Sequence, residues 1–165
     1  MLEYNRDQAV LYALYWALDR NPQYYNFTGI GGDCTNFISQ SVYAGSGVMN
    51  FTPTFGWYYI SVNDRAPAWT GVEYFYNFMT TNKGPGPFGE EVELDELQLG
   101  DVVQFNFYGD TFTHGGIITR LRPFFSGDRR ILISAHSNDA RNRSLSTYEY
   151  QKVRGIHIIG VGEPY

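Results

Sequence analysis

The sequence predicts a single α+β domain, in which N-terminal helices pack on an antiparallel sheet of about five strands. Apolar residues recur at helical spacing in the first half of the chain, whereas β-branched and aromatic segments dominate the second half. Helices followed by a run of strands favour this class over an alternating α/β arrangement. A length of 165 residues without a linker-like stretch fits one domain over residues 1–165.

Three helices are expected in the first half. The first covers residues 4–20, where five side chains form one apolar face: Val10, Leu11, Leu14, Tyr15 and Leu18. The second covers residues 34–45 and ends at a Gly-Ser-Gly sequence, and the third covers residues 71–81. Between them, residues 50–70 read as an irregular insert rich in Trp and Tyr, whose rings are expected to pack within it.

The second half carries the strands. Four segments show the alternation and the residue types of strands: residues 102–107, 115–119, 131–135 and 155–161. Gly- and Asp-containing turns between them indicate hairpins. The acidic run at residues 90–96 is expected to be a solvated surface. The sheet is therefore expected to be an antiparallel meander.

Composition limits the partners. The formal net charge is −5 and no basic run occurs, which argues against nucleic acid and anionic membranes as main partners. No run of about 18 apolar residues is present to span a membrane. Residues 4–20 are amphipathic and do not resemble a signal peptide. A cytoplasmic protein and a domain of a longer secreted protein both fit, so compartment and oligomeric state stay open.

Cys34 is the only cysteine, so it cannot form an internal disulfide. It follows Gly31-Gly32-Asp33 and opens the second predicted helix. The unpaired N–H groups and the dipole at a helix N-terminus lower a thiol pKa and favour the nucleophilic thiolate. A lone cysteine with a distant histidine is the outline of a cysteine hydrolase.

The nucleophile needs a base, and His114 is the first candidate because it begins a strand and precedes Gly115-Gly116. An acceptor must then orient the imidazole. The next strand ends in three candidates for that role: His136, Asn138 and Asp139. The backbone N–H of Cys34 is the expected first oxyanion donor, and the sequence indicates no second one.

Three segments carry a resemblance to a known family: Asp33-Cys34-Thr35-Asn36-Phe37, residues 97–105 with Leu-Gln-Leu-Gly-Asp-Val-Val, and residues 114–118 with His-Gly-Gly-Ile-Ile. The chain resembles the bacterial putative amidase domain family from about residue 4 to 161. That family looks like a branch of the papain-like superfamily, which includes NlpC-type and CHAP cell-wall hydrolases.

The resemblance implies a papain-like fold, with Cys34 as nucleophile, His114 as base and His136 as the orienting residue; Asn138 or Asp139 stays open for that last role. It implies a cysteine amidase or peptidase that acts on bacterial cell-wall peptides through an acyl-enzyme, at an extracellular or cell-wall location. No cofactor and no metal are expected. The glutamine donor that papain-like peptidases carry upstream of the cysteine is absent here.

Three alternatives belong to other classes. A buried single cysteine is often an inert core residue, and the domain would then be a non-catalytic binding module. Cys34, His114 and either His136 or Asp139 could instead bind zinc, although catalytic zinc sites commonly have closely spaced ligand pairs. The same catalytic residues could also transfer the acyl group to an amine instead of water.

Overall fold

The computed structural model describes residues 1–165 and shows an α+β architecture, which confirms the predicted class in its coarse form. The helices are α1 (Arg6–Trp16), α2 (Cys34–Ser46), α3 (Pro67–Thr70) and α4 (Val72–Thr81). The strands are β1 (Tyr59–Ser61), β2 (Asp64–Arg65), β3 (Gly86–Val92), β4 (Val102–Asn106), β5 (His114–Leu121), β6 (Ile131–Ala135), β7 (Ala140–Ser144) and β8 (Lys152–Gly162). None of the helices has the length and apolar character needed to cross a membrane.

The main sheet has six strands in the order β3-β8-β4-β5-β6-β7, and all its pairings are antiparallel. The expected number was about five. The two strands without a sequence signal are β3 and β7, which form the edges. One starts with Gly86-Pro87 and carries Glu90-Glu91, and the other includes Arg141 and Arg143. Charged residues and proline are common on edge strands, where they discourage further pairing but hide the strand pattern.

The sheet separates two hydrophobic clusters. The larger one contains the inner side of α1 and α2 and includes Phe37, Ile38 and Ile117. The smaller one lies on the opposite face and includes Phe105 and Ile118. Because successive side chains of a strand point to opposite faces, each strand residue can be assigned to the helix face or to this second face.

Helix α1 is oriented differently from the expectation. Its buried residues are Ala9 and Ala13, whereas Leu11, Tyr15 and Leu18 are 59%, 75% and 63% exposed. The reason is the close packing of α1 on α2, because a larger side chain at either inward-facing position would separate the two helices. Three of the five residues of the predicted apolar face therefore point to solvent, whereas Val10 and Leu14 are half-buried.

Helix α2 is buried along most of its length, including its polar side chains. The aromatic insert covers it and satisfies two of them. Trp57 Nε1 donates to Ser39 Oγ at 3.0 Å, and Trp69 Nε1 donates to Asn36 Oδ1 at 3.0 Å. Both indole rings are fully buried. The sequence predicted that they pack within the insert, and the structure shows that they also join the main core against α2.

Candidate active site

Cys34 is the first residue of α2, and its side chain is buried at 7% exposure. The sulfur lies 3.8 Å from Thr35 Oγ1. Burial raises the pKa of Cys34 although the Thr35 hydroxyl and the nearby backbone N–H groups of Gly115 and Thr35 act to lower it, and the carboxylate of Asp33 adds to the increase. The expected lowering by the helix N-terminus is therefore outweighed by desolvation, and the resting group is the thiol.

Asp33 precedes the cysteine and forms a buried pair with His136, with 2.5 Å between Oδ2 and Nδ1. Its other oxygen accepts from the backbone N–H of Phe27 and from Asn36 Nδ2, each at 2.9 Å. Burial by itself would raise the pKa of Asp33, but these hydrogen bonds, led by that of His136, hold the pKa below its ordinary value of 3.8. Asp33 is therefore a buried carboxylate stabilised by several donors.

His136 connects three elements. Its Nε2 lies 2.8 Å from the carbonyl oxygen of Trp16, at the end of α1, and its ring stacks on Phe37 of α2 at 4.0 Å between centroids. A carbonyl oxygen only accepts, so Nε2 carries a proton in this contact. Both ring nitrogens are thus engaged. His136 does not contact His114, and the orienting contact that the resemblance implies is not present in this structure.

His114 is the first residue of β5 and pairs across the sheet with Phe105. Its ring lies on the second face, stacked near Phe105 at 5.7 Å and Phe107 at 6.1 Å between centroids. Burial, together with the nearby positive charge of Arg143, lowers the pKa of His114 to about 4. At neutral pH the imidazole is therefore uncharged.

Gly115 explains why the expected Cys34–His114 contact is missing. It occupies the helix face, where an added Cβ would lie 3.2 Å from Ile38 Cδ1. Because side chains alternate along a strand, His114 must then point to the opposite face. No ring nitrogen lies within hydrogen-bonding distance of the sulfur, although the two backbones are close enough for the Gly115 N–H to lower the pKa of Cys34.

Asn138 and Asp139 lie in the turn after β6. Asn138 is exposed and has a left-handed φ of 67°. Asp139 accepts two hydrogen bonds from Arg20, at 2.9 and 3.0 Å. Arg20 also donates to Asn26 and Thr28 in the loop before Cys34. Neither Asn138 nor Asp139 contacts His114, so neither orients it in this structure.

The residues of the zinc alternative do not come together either. Cys34 and His136 lie on the helix face of the sheet, whereas His114 lies on the second face. No group of three or more His, Cys, Asp and Glu side chains has the arrangement to hold a metal ion. The chain supplies no ligand cluster in which to place one.

Asp101, in the Leu-Gln-Leu-Gly-Asp-Val-Val segment, has a structural role. It binds Arg6 at 2.7 Å and His157 Nδ1 at 2.8 Å, and it accepts from the backbone N–H of Ile158. These contacts connect the start of α1 to β8. The second aspartate-histidine pair of the chain, Asp101 and His157, thus lies in a structural network.

One residue near the site had no sequence signal. Asn106 ends β4 on the helix face and is 1% exposed. Its Nδ2 donates to Gly109 O at 3.0 Å, but its Oδ1 has no hydrogen-bond partner. Most buried polar atoms have a partner. An unused acceptor at the end of β4, beside the first residue of β5, is a candidate position for an imidazole donor.

Comparisons with known proteins agree with the family resemblance. Residues 3–159 match a family model described as "Putative amidase domain". An uncharacterized protein, YhbB of Bacillus subtilis (strain 168), is 31% identical over 147 residues, which cover 87% of this chain and 45% of that relative. The chain therefore spans less than half the length of that relative. No solved structure gives a significant match.

Proposed function

This chain belongs to the putative amidase domain family, which indicates amide hydrolysis as its chemistry, and on that premise we propose a cysteine-dependent amide hydrolase with Cys34 as the nucleophile. One observation carries the proposal. The only thiol of the chain lies at the first residue of a helix, and the backbone N–H of Gly115, which follows His114, is close enough to the sulfur to lower the thiol pKa. The backbones of the proposed nucleophile and base are thus adjacent, and catalysis further requires their side chains to meet.

The proposed reaction begins with a neutral pair. His114 is uncharged at neutral pH, which is the form that a general base needs, and the thiol still holds its proton. The imidazole takes this proton while the sulfur attacks the amide carbonyl carbon. The imidazolium then gives the proton to the leaving amine as the C–N bond breaks, and water hydrolyses the thioester in a second step.

These reaction steps require the His114 ring to move from the second face of the sheet towards Cys34. Rotation of the side chain alone cannot achieve this, so we propose that the backbone at the first residue of β5 changes conformation and releases the hydrogen bond from Thr113 N–H to Phe105 O. Catalytic hydrogen bonds are often long or misaligned without substrate and tighten only in the complex. We therefore assign the observed arrangement to the resting enzyme.

Asn106 is our candidate for the orienting residue. Its unpartnered Oδ1 lies on the same face of the sheet as Cys34, at the end of the strand that pairs with β5. A His114 ring turned to this face would find an acceptor for its second N–H. His136, Asn138 and Asp139 remain proposals for the same role, but His136 and Asp139 already bind other groups.

The proposed oxyanion donor is the backbone N–H of Cys34. The first N–H groups of a helix have no intrahelical acceptor, and a carbonyl attacked by Sγ would lie next to this one. Asp33 does not cap these groups with its side chain, because its carboxylate binds His136, Asn36 and Phe27 instead. The Cys34 N–H therefore has no side-chain cap from Asp33 that would compete with a substrate.

We extend the proposal to bacterial cell-wall peptides as the substrate class. The support is the resemblance of the segments around Cys34, Asp101 and His114 to those of NlpC-type and CHAP hydrolases, and a papain-like fold as their common framework is part of the same proposal. The Bacillus relative carries no described activity. The substrate class therefore rests on the motifs.

A non-catalytic binding module is the second candidate, because a specific observation favours it. Cys34 is buried, its pKa is raised, and no imidazole contacts it in this structure. These are properties of an inert core cysteine. Such a module would bind cell-wall peptides without cleaving them.

A digestion experiment separates the two. Purified peptidoglycan and a peptide library are incubated with the wild type and with Cys34→Ala, and the products are identified by mass spectrometry. Cleavage at amide bonds that is lost in Cys34→Ala supports the hydrolase. Retention of the wild type on peptidoglycan without any cleavage supports the module. Equal cleavage by both proteins excludes Cys34 as the nucleophile. Adding a primary amine shows whether the acyl group also transfers to it.

A further inference from the structure

We propose that Thr35 is a further catalytic residue, whose hydroxyl donates a hydrogen bond to the sulfur of Cys34 when this group becomes the attacking thiolate. The inference rests on the proposed function and deepens it, because it names the group that stabilises the charged nucleophile. Thr35 follows Cys34 in the first turn of α2 and is 2% exposed. Its Oγ1 lies 3.8 Å from Sγ, and this is the single hydrogen bond of the Thr35 side chain.

The position of Thr35 in the helix leaves its hydroxyl free for the sulfur. Deeper in a helix, a Ser or Thr hydroxyl commonly donates to the backbone carbonyl four residues earlier. Ser41 of α2 donates to Phe37 O at 2.9 Å in this way, and Thr80 of α4 makes the same kind of bond. Thr35 is the second residue of α2, so no carbonyl of its own helix lies four positions before it. A buried hydroxyl nearly always has a partner, and here that partner is the sulfur.

The direction of this hydrogen bond depends on the charge of the sulfur. A thiol and a hydroxyl can each donate, so either atom can be the donor in the resting pair. A thiolate has no proton and only accepts, so the hydroxyl must donate to it. Hydrogen bonds to charged groups are about twice as strong as those between neutral groups. The same contact therefore stabilises the thiolate more than the thiol, which is the condition for a catalytic effect.

The charged groups near the sulfur do not stabilise a thiolate. Burial raises the pKa of Cys34, and the carboxylate of Asp33 in the preceding loop raises it further. Arg20 and His136 both bind this carboxylate, at 3.6 and 2.5 Å, and the His114 ring lies on the second face of the sheet. No Lys, Arg or His side chain is within hydrogen-bonding distance of Sγ. Uncharged donors must therefore stabilise the thiolate.

The Thr35 hydroxyl acts in that direction and keeps its own proton. Against the increase that burial causes, it is the largest influence that lowers the pKa of Cys34, ahead of the backbone N–H of Gly115. In the proposed reaction His114 takes the proton of the thiol and gives it to the leaving amine, so no proton leaves Thr35. The hydroxyl donates to the sulfur while it is charged. The hydrogen bond weakens when the thioester forms, because the sulfur is then neutral.

Alkylation kinetics test the proposal without requiring hydrolysis. Only the thiolate reacts with iodoacetamide, so the rate of modification at a given pH reports the thiolate fraction. Thr35→Val removes the hydroxyl and retains the branched shape of the side chain, and it should slow the modification by about tenfold. Thr35→Ser retains the hydroxyl and should react as the wild type does. Ser41→Ala removes another buried hydroxyl of α2, away from the sulfur, and is the matched control with an unchanged rate.

Three results would overturn the proposal. One is an equal rate for the wild type and Thr35→Val at every pH. Another is a rate for Thr35→Ser as low as that for Thr35→Val, which would assign the effect to packing. A third is a wild-type thiol that stays unmodified at every pH at which the protein is folded, because no thiolate would then form. Circular dichroism and thermal unfolding confirm that the variants fold. Cleavage by Cys34→Ala tests the proposed function separately, so the two failures are distinguishable.

Discussion

The imidazole of His114 lies among aromatic rings and near a cation, and both features disfavour its charged form. Its pKa falls from 6.5 to about 4, with burial as the larger cause and Arg143 as the smaller. The unfolded chain therefore binds a proton between these two values that the folded chain does not bind. It follows that the stability is complete above about pH 6.5 and decreases as the pH falls towards 4.

Replacing His114 by Phe tests two claims together: that the pKa of His114 is lowered by burial, and that His114 is the catalytic base. A phenyl ring fits the stack with Phe105 and Tyr148, so the protein should fold. We expect the decrease in unfolding free energy between pH 6.5 and 4 to become smaller, as measured by urea denaturation at several pH values. Amide hydrolysis should be lost at every pH. A variant with the wild-type pH dependence of stability would show that His114 is not the buried neutral group.

Asp33 and His136 form the main buried charge contact beside Cys34. Asp33→Asn leaves the histidine without its carboxylate, and breaking one side of a buried pair costs about 3–5 kcal/mol. Asp139→Asn is the matched control, because its pair with Arg20 is partly exposed and an exposed pair contributes about 1 kcal/mol or less. Equal losses of unfolding free energy in both variants would contradict the structural role of Asp33.

The pH dependence of that pair has a defined sign. Because the folded-state pKa of Asp33 lies below its ordinary value of 3.8, its contribution is present above that value and is lost as the pH falls through the lowered pKa. The Asp33→Asn variant should therefore lose less stability than the wild type on acidification below about pH 4. Urea denaturation at acidic pH measures the difference.

Asn106 offers a test at the active site itself. Asn106→Leu removes the amide oxygen, whereas Asn106→Asp keeps an acceptor at the same position. If Asn106 orients His114, the Leu variant should lose at least about tenfold in kcat, and the Asp variant should retain most of it with a shifted pH profile. A structural role alone would affect both variants in the same way, through the hydrogen bond to Gly109. Similar pH profiles would therefore contradict the assignment.

At the scale of elements, the packing of α1 shows where the pattern of apolar residues misleads. Five apolar residues on one face predict an inward face, yet the small residues Ala9 and Ala13 are buried. Gly45 of α2 explains why small residues of α1 face inward: a Cβ at Gly45 would lie 2.6 Å from Asn5 O and 3.1 Å from Ala9 Cβ. Close approach of the helices requires small side chains, and hydrophobicity alone does not encode that requirement.

Two substitutions test this packing. Gly45→Ala should lower the unfolding free energy by about 1–3 kcal/mol, because the added methyl group has no room without separating the helices. Leu11→Ser should change it by less than about 0.5 kcal/mol, because the leucine is 59% exposed. Chemical denaturation of the two variants measures both values. A larger loss for Leu11→Ser would place the leucine face in the core.

The sequence predicted the buried strands of the sheet but did not predict its edge strands. β4, β5, β6 and β8 combine apolar alternation with β-branched residues, and the sequence identifies them. β3 and β7 are edge strands with charged residues, so their formation depends on pairing with β8 and β6. Long-range pairing of this kind leaves no local signal.

At the scale of the whole molecule, the face of the sheet to which each side chain points determines which chemical groups can come into contact. Cys34, Asp33 and His136 lie on the helix face, and His114 lies on the other. The sequence located these groups but could not assign His114 to a face, because one residue of register reverses every side chain of a strand. It also could not give the burial that raises the pKa of Cys34. The spacing of residues in the sequence is therefore not enough to assign a catalytic pair, and the register of the strands must also be known.

The most direct test of the central claim is detection of an acyl group on Cys34. Wild type and Cys34→Ala are mixed with a peptide that the wild type cleaves, quenched in acid within the first turnover, and analysed by intact-protein and peptide mass spectrometry. We predict that the wild type gains the mass of the acyl fragment on the peptide that contains Cys34, and that His114→Phe does not. An unmodified Cys34 during active cleavage, or an acyl group on another residue, would contradict the account.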